Sequence, residues 1–231
     1  MTESRFLSRV RVRRDAPIAA LRDVLVPGDD SARYSAGHQL IWTLFADAPE
    51  RDRDFLWREW EPGHFLVLSR RPPHDAHAIF HLDAPKPFHP SLRVGQRLRF
   101  SLRANATVAK KLVKGARGKP CDVVMDMLHA LPPADRARER PRVAQEAATR
   151  WLTGQGERSG FVLEPAADHL QVMSYRQLQL RRRGATPARV GVLDLEGTLT
   201  ITEPDRFLER MGAGFGRAKA FGCGLMLIMR A

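Results

Sequence analysis

Apolar and polar positions alternate with period two from Phe6 to Arg14. Phe6, Ser8, Val10 and Val12 fall on one side, and Leu7, Arg9, Arg11 and Arg13 on the other. This predicts a strand with one basic face. The turn Pro27-Gly28-Asp29-Asp30-Ser31 is suited to cap a helix, and residues 32–46 follow with Leu40, Ile41 and Leu44 at helical spacing. Short strands fit residues 55–60 and 65–70. Pro72-Pro73 breaks the chain before a further strand expected over 78–82. The β-α-β-β order with a closing strand predicts a ferredoxin-like unit over residues 1–88.

Pro85, Pro87 and Pro90 mark residues 84–95 as a linker, and a second unit is expected over 96–231. It opens with another alternating strand, Leu98, Phe100, Leu102 and Ala104 against Arg97, Arg99, Ser101 and Arg103. Residues 106–119 and 131–143 carry loop composition. Residues 144–152 are helical, with Ala144, Ala148, Trp151 and Leu152 on one side. Strands are expected near 161–164, 169–181 and 189–201, the last two joined by the turn Arg183-Gly184-Ala185-Thr186-Pro187. Thr202 and Pro204 start a short helix that Gly212 ends, and 225–229 is a final apolar strand. The fold expected is α+β: two tandem ferredoxin-like (RRM-like) domains.

Charge narrows the partner. Of the net +12, little sits in residues 1–100, where 16 basic residues face 13 acidic ones. Residues 101–231 hold 22 against 13. Such a balance suits a polyanion, and an Arg-rich soluble surface is the plain alternative. Two cysteines far apart, Cys121 and Cys223, make neither a disulfide framework nor a cysteine zinc site. No apolar secretory signal opens the chain and no run of about 18 apolar residues occurs, so a cytoplasmic protein with no membrane partner is expected.

The segment Met211-Gly212-Ala213-Gly214-Phe215-Gly216-Arg217-Ala218-Lys219-Ala220-Phe221-Gly222-Cys223-Gly224 concentrates five glycines around two cations. Glycine lets a backbone approach a ligand closely, and exposed N–H groups with Arg217 and Lys219 would hold a phosphate. The spacing fits neither a dinucleotide-binding fingerprint nor a P-loop. A helix cap with a tight turn accounts for Gly212 but leaves four glycines over. The segment resembles the G-x-G-x-G-x5-G-x-G pattern of the CRISPR-associated RAMP superfamily. Its string Gly216-Arg217-Ala218-Lys219-Ala220-Phe221-Gly222-Cys223-Gly224-Leu225 is similar to the C-terminus of the CasE family, crRNA endonucleases of type I-E Cascade. Phe6-Leu7-Ser8-Arg9-Val10, His38-Gln39-Leu40-Ile41-Trp42-Thr43-Leu44-Phe45, Leu98-Arg99-Phe100-Ser101-Leu102-Arg103-Ala104-Asn105 and Leu195-Glu196-Gly197-Thr198-Leu199-Thr200-Ile201 resemble further family landmarks in order and spacing.

The resemblance implies an endoribonuclease that cuts the repeat hairpin of CRISPR precursor RNA without a metal or other cofactor. It would retain the crRNA and join other Cascade subunits. It also implies that His38 is catalytic, since family members place their catalytic histidine there. An imidazole suits proton transfer near neutral pH. A helix-start histidine packed on Trp42 is the alternative. Tyr34, four residues earlier, shares a helical face with His38 and is the second catalytic candidate. The family usually has tyrosine three residues before the histidine, where this chain has Ser35. The expected chemistry is attack of a 2′-OH that leaves a 2′,3′-cyclic phosphate and a 5′-OH, with Tyr34 or a nearby lysine assisting.

Arg103, Lys110, Lys111, Lys114, Arg117 and Lys119 fall in seventeen residues with no acid. Arg181, Arg182 and Arg183 crowd a hairpin tip near Arg189. Such clusters bind phosphates by charge, and duplex RNA is recognised largely by shape and phosphate contacts. These residues, with Gly214, Gly216, Arg217, Lys219 and Gly222, are the RNA-binding candidates, a solvated surface being the alternative. His74, His77 and His81 do not share one face, and Asp194 with Glu196 suits arginine partners better than metal, so no metal site is expected. A non-catalytic RNA-binding subunit is the main rival. An acyl-CoA transferase would need a long helix after the glycine segment, and no amphipathic basic helix supports a membrane-surface protein.

Overall fold

The computed structural model describes residues 4–47, 50, 52–110, 118–164, 170–182 and 185–231. The chain opens with β1 (Phe6–Val12), two single turns α1 (Ala16–Ala19) and α2 (Arg22–Leu25), and helix α3 (Asp30–Thr43). Strands β2 (Phe55–Glu61), β3 (His64–Ser69), β4 (Phe80–Leu82) and β5 (Lys86–Pro87) follow. Then come β6 (Arg97–Ala104), β7 (Thr107–Lys110), β8 (Lys119–Asp122), α4 (Val123–His129) and α5 (Arg136–Glu157). After these lie β9 (Phe161–Leu163), β10 (Leu170–Arg182), β11 (Ala185–Ile201), α6 (Pro204–Ala213), a 3₁₀ turn (Lys219–Phe221) and β12 (Met226–Arg230).

The first sheet runs β2-β3-β1-β4, with β5 also on β1. The second runs β10-β11-β6-β12, with β9 on β11. In each sheet the strand that opens the unit lies at the centre, as in the ferredoxin-like order, and every pairing is antiparallel. The second unit keeps both crossover helices, α5 and α6. The first keeps only α3, because Pro72-Pro73 and the Asp75 turn fill the place of the second. The Asp75 carboxylate accepts from the Ile79 and Phe80 N–H groups and closes that turn.

α3 begins where expected. The Asp29 side chain accepts from Ala32 N–H at 2.8 Å and satisfies an otherwise orphaned donor. Its buried stripe, Tyr34, Gly37, Leu40 and Ile41, packs on Val10, Trp57, Phe65 and Val67 of the first sheet. In the second unit, Leu98, Phe100, Leu102 and Ala104 face inward against Val143, Ala147, Trp151, Leu152, Phe207 and Met211. Leu56 and Leu68 meet Leu225 across the junction of the sheets.

Four local expectations need correction. Residues 131–143 are not all loop, because α5 starts at Arg136 and runs through Pro141. A ladder of ion pairs from Arg138, Arg142 and Arg150 to Asp135, Glu139 and Glu146, with an apolar stripe from Val143, outweighs the proline. Residues 106–119 are in part a ribbon, β7 on β8. The α6 helix is ended by Gly214, at φ 79°, instead of Gly212. β11 begins at Ala185, which pairs with Arg182, so residues 185–187 belong to the strand and not to a turn.

Candidate active site

His38 sits on the third turn of α3, half-buried, with its ring 6.1 Å from Trp42 and 6.2 Å from Phe221. Burial, then the positive charge of Arg53, depresses its pKa below the ordinary histidine value. The neutral ring is therefore favoured at pH 7. Nδ1 is buried and meets no hydrogen-bond partner among the described residues. Lys219 opens the 3₁₀ turn that carries Phe221. Burial first, then Arg210 and Arg53, lowers its pKa. Arg53 is lowered by burial alone. The causes acting on these three groups are burial and positive charge, with no carboxylate among them. A half-desolvated cationic site of this kind favours an anionic ligand.

The glycine segment holds Lys219 in place mainly through its backbone. Gly224 N–H donates to Arg103 O and Phe215 N–H to Gly224 O. Arg217 N–H donates to Asn105 O, and Asn105 Nδ2 to Gly191 O. A Cβ at Gly216 would lie 2.6 Å from Asn105 O, and one at Gly214 2.8 Å from Leu56. Trp57, fully buried, is pressed from two sides. A Cβ at Gly37 of α3 would lie 2.7 Å from its ring and one at Gly222 3.0 Å. The indole thus spaces the His38 helix from the Lys219 turn. Gly214 and Gly222 are buried packing positions, and Gly216 is half-buried.

Tyr34 does not join His38 at an open site. The i, i+4 stripe runs from the core to the surface, and Tyr34 occupies the core end at 2% exposure. Its hydroxyl accepts from Arg176 Nη2 at 3.4 Å, and the Arg103 guanidinium lies 5.6 Å over its ring. Burial raises its pKa against the pull of Arg103 and Arg176. Arg103 also departs from expectation. Its strand face turns toward the first unit, where Nε donates to Asp194 at 2.7 Å and Nη1 to Glu59 O at 3.0 Å. The guanidinium is internal and committed.

Among the other basic candidates, Lys110 pairs with Asp126 at 2.6 Å. Lys119, Arg189 and Arg217 are exposed. Lys111, Lys114, Arg117 and Arg183 lie outside the described residues, as do the side chains of Arg181 and Arg182. Asp194 takes arginine partners and Ser174. Among the described residues no group of three or more His, Cys, Asp or Glu is placed to hold a metal, and no helix is long and apolar enough to cross a membrane. Nothing in the sequence singles out Arg53, which lies between Asp52 and Asp54 just before β2 and stands out only through its burial and its charge on His38.

Residues 5–230 match the sequence pattern of a family described as CRISPR associated protein. The CRISPR-associated endoribonuclease Cse3 of Thermus thermophilus is 34% identical over 224 residues, covering 89% of this chain and 96% of that protein. The CRISPR system Cascade subunit CasE of Escherichia coli is 26% identical, covering 82% and 88%. Thermus thermophilus Cse3 bound to an RNA representing a pre-cleavage complex superposes with a TM-score of 0.69 at 26% identity, over 98% of this chain and 99% of that one.

Proposed function

The chain belongs to the CRISPR-associated protein family, and from that premise we propose that it is an endoribonuclease that cuts the repeat hairpin of CRISPR precursor RNA. The observation that carries the chemistry is half-buried His38, its ring 6.2 Å from Phe221 on the turn that Lys219 opens, with the charge of Arg53 acting on both His38 and Lys219. A scissile phosphate supplies the missing negative charge. Neutral His38 takes the proton from the adjacent 2′-OH, whose oxygen attacks the phosphorus. The P–O5′ bond breaks, leaving a 2′,3′-cyclic phosphate and a 5′-OH. Lys219 stabilises the negative charge that develops on the phosphorane oxygens and protonates the leaving oxygen, a role that its lowered pKa suits. Arg53 adds to the same field. Both proton transfers are made by side chains, so the reaction needs no metal.

Exposed Lys119, Arg189 and Arg217 spread cations over the second unit for the duplex. The protein works in the cytoplasm as one unit of a Cascade assembly and keeps the cleaved RNA. Two domains, 1–88 and 96–231, share this work, with the glycine segment joining them at the site. The test is end-group analysis of the product in excess EDTA: a 2′,3′-cyclic phosphate and a 5′-OH are expected. A 3′-OH with a 5′-phosphate overturns the mechanism. Binding without cutting leaves the non-catalytic subunit, which the burial of Tyr34 would favour.

A further inference from the structure

The face of the first sheet turned away from α3 carries a second feature that cleavage at His38 does not use. Opposed residues of neighbouring strands share a face, so the register Arg9↔Leu66 and Arg11↔His64 sets Arg9, Arg11, His64 and Leu66 together. Trp60, at the end of edge strand β2, stacks on the His64 ring with centroids 5.7 Å apart and planes 23° from parallel. Trp60 remains 43% exposed.

Arg9, Arg11, Trp60, Glu61, His64 and Asp83 line an open cavity of about 310 Å³ here. A second, of about 320 Å³, is lined by Leu7, Leu66, Ala84 and Lys86, and Arg9 and Asp83 belong to both. The two are therefore continuous along β1. Each is close in size to one nucleotide.

The charges point to a base beside the tryptophan, not a phosphate. Asp83 is engaged by Arg11 at 3.4 Å, and Glu61 lies 3.4 Å from the His64 ring. Next to Trp60, acid and base thus offset one another. Arg9, between the two cavities, is exposed and forms no ion pair among the described residues. Lys86, at the far end, is exposed too. A stacking ring followed by cations at intervals is the arrangement that holds an unpaired strand, base on the ring and backbone along the charges. A base paired within a stem cannot open its face to the indole.

We infer that this groove holds unpaired RNA flanking the hairpin, with one base stacked on Trp60 and its backbone led past Arg9 toward Lys86. The inference rests on the RNA-processing reading above and assigns the flank a seat on the opposite side of the sheet from His38. Trp60 and Arg9 are binding residues here and take no part in cleavage.

The experiment compares two RNAs, the bare repeat hairpin and the same hairpin with about six unpaired nucleotides on either side. Binding and single-turnover cleavage are measured for the wild type, Trp60→Ala, Trp60→Phe and Arg9→Ala. The flanks should tighten wild-type binding about five- to tenfold, the weight of one stacked base. Trp60→Ala should lose that gain and still bind and cut the bare hairpin as the wild type does. Trp60→Phe should keep most of it, and Arg9→Ala should lose part. The inference is overturned if Trp60→Ala keeps the wild-type ratio between the two RNAs. It is equally overturned if Trp60→Ala keeps that ratio but fails to join the other Cascade subunits, which would make the face a protein contact. Failure of the wild type itself to bind the hairpin would remove the RNA reading and this inference with it.

Discussion

Arg103 Nε donates to Asp194 Oδ1 at 2.7 Å across neighbouring strands of the second sheet, and the same guanidinium lies 5.6 Å over the ring of Tyr34 on the helix that bears His38. The other Asp194 oxygen accepts from Ser174 Oγ and from Arg176, which itself reaches Asp30 and the Tyr34 hydroxyl on α3. Arg58 of β2 donates to Ser101 Oγ of β6 in the same layer. One carboxylate thus compensates several cations where β2, α3 and the second sheet meet.

Asp194→Asn should therefore destabilise the protein by about 3 kcal/mol, since it leaves guanidinium groups buried without a counter-charge. Burial pushes the Asp194 pKa up, but Arg103, Ser174 and Arg58 outweigh it and hold the carboxyl below its usual value. A depressed carboxylate contributes stability that is present above its unfolded pKa and lost as pH falls through the lower folded value. Denaturant midpoints measured from pH 7 to pH 2 should show the wild type losing stability below about pH 4. Asp194→Asn should lose less over that range.

Arg103 should behave as a structural cation in RNA binding, whereas Arg189 and Lys119 should behave as phosphate contacts. Arg189→Ala or Lys119→Ala should reduce the slope of log affinity against log salt by about 1. Arg103→Ala should destabilise the fold and leave that slope unchanged in the folded fraction. Affinity titrations at four salt concentrations separate these outcomes.

Gly37→Ala should act on the reaction from a distance. The added methyl would sit 2.7 Å from the buried Trp57 ring, so α3 must move away from the Lys219 turn. A stability loss of about 1–3 kcal/mol is expected for such overpacking. The single-turnover rate should fall about tenfold or more, through lost alignment of His38 with the Lys219 turn. An unchanged rate would show that Trp57 does not set the spacing of the site.

The pH profile of kcat/KM should be bell-shaped. Its acid limb should lie below 6.5, where His38 must lose a proton to act as base, because burial and Arg53 lower its pKa. Its alkaline limb should lie below 10.5, where Lys219 loses the proton that it must donate. Arg53→Ala removes a positive charge and should move both limbs upward.

Much of the architecture is written in local patterns. Alternation in β1 and β6 and the Asp29 cap of α3 each appear in the sequence in the form that the structure takes. His38 is a candidate through the family resemblance, since its place on α3 alone suits a packed histidine equally well. What sequence could not show depends on depth. Periodicity puts Tyr34 and His38 on one stripe but cannot say that the core rim passes between them. Alternation gives β6 a basic face, yet only the packing of two sheets reveals that Arg103 turns inward while Arg97 and Arg99 stay exposed. Arg53 and Trp60 carry no local signal, because their importance comes from neighbours distant in the chain.

Single-turnover cleavage of end-labelled repeat hairpin by wild type and His38→Ala, in excess EDTA, tests the central claim most directly. The account predicts one cut by the wild type, a rate about 10²–10⁴-fold lower for the variant, and equal hairpin affinity for both. Equal cleavage rates for the two proteins, or a wild type that cuts only when a divalent metal is restored, would contradict it.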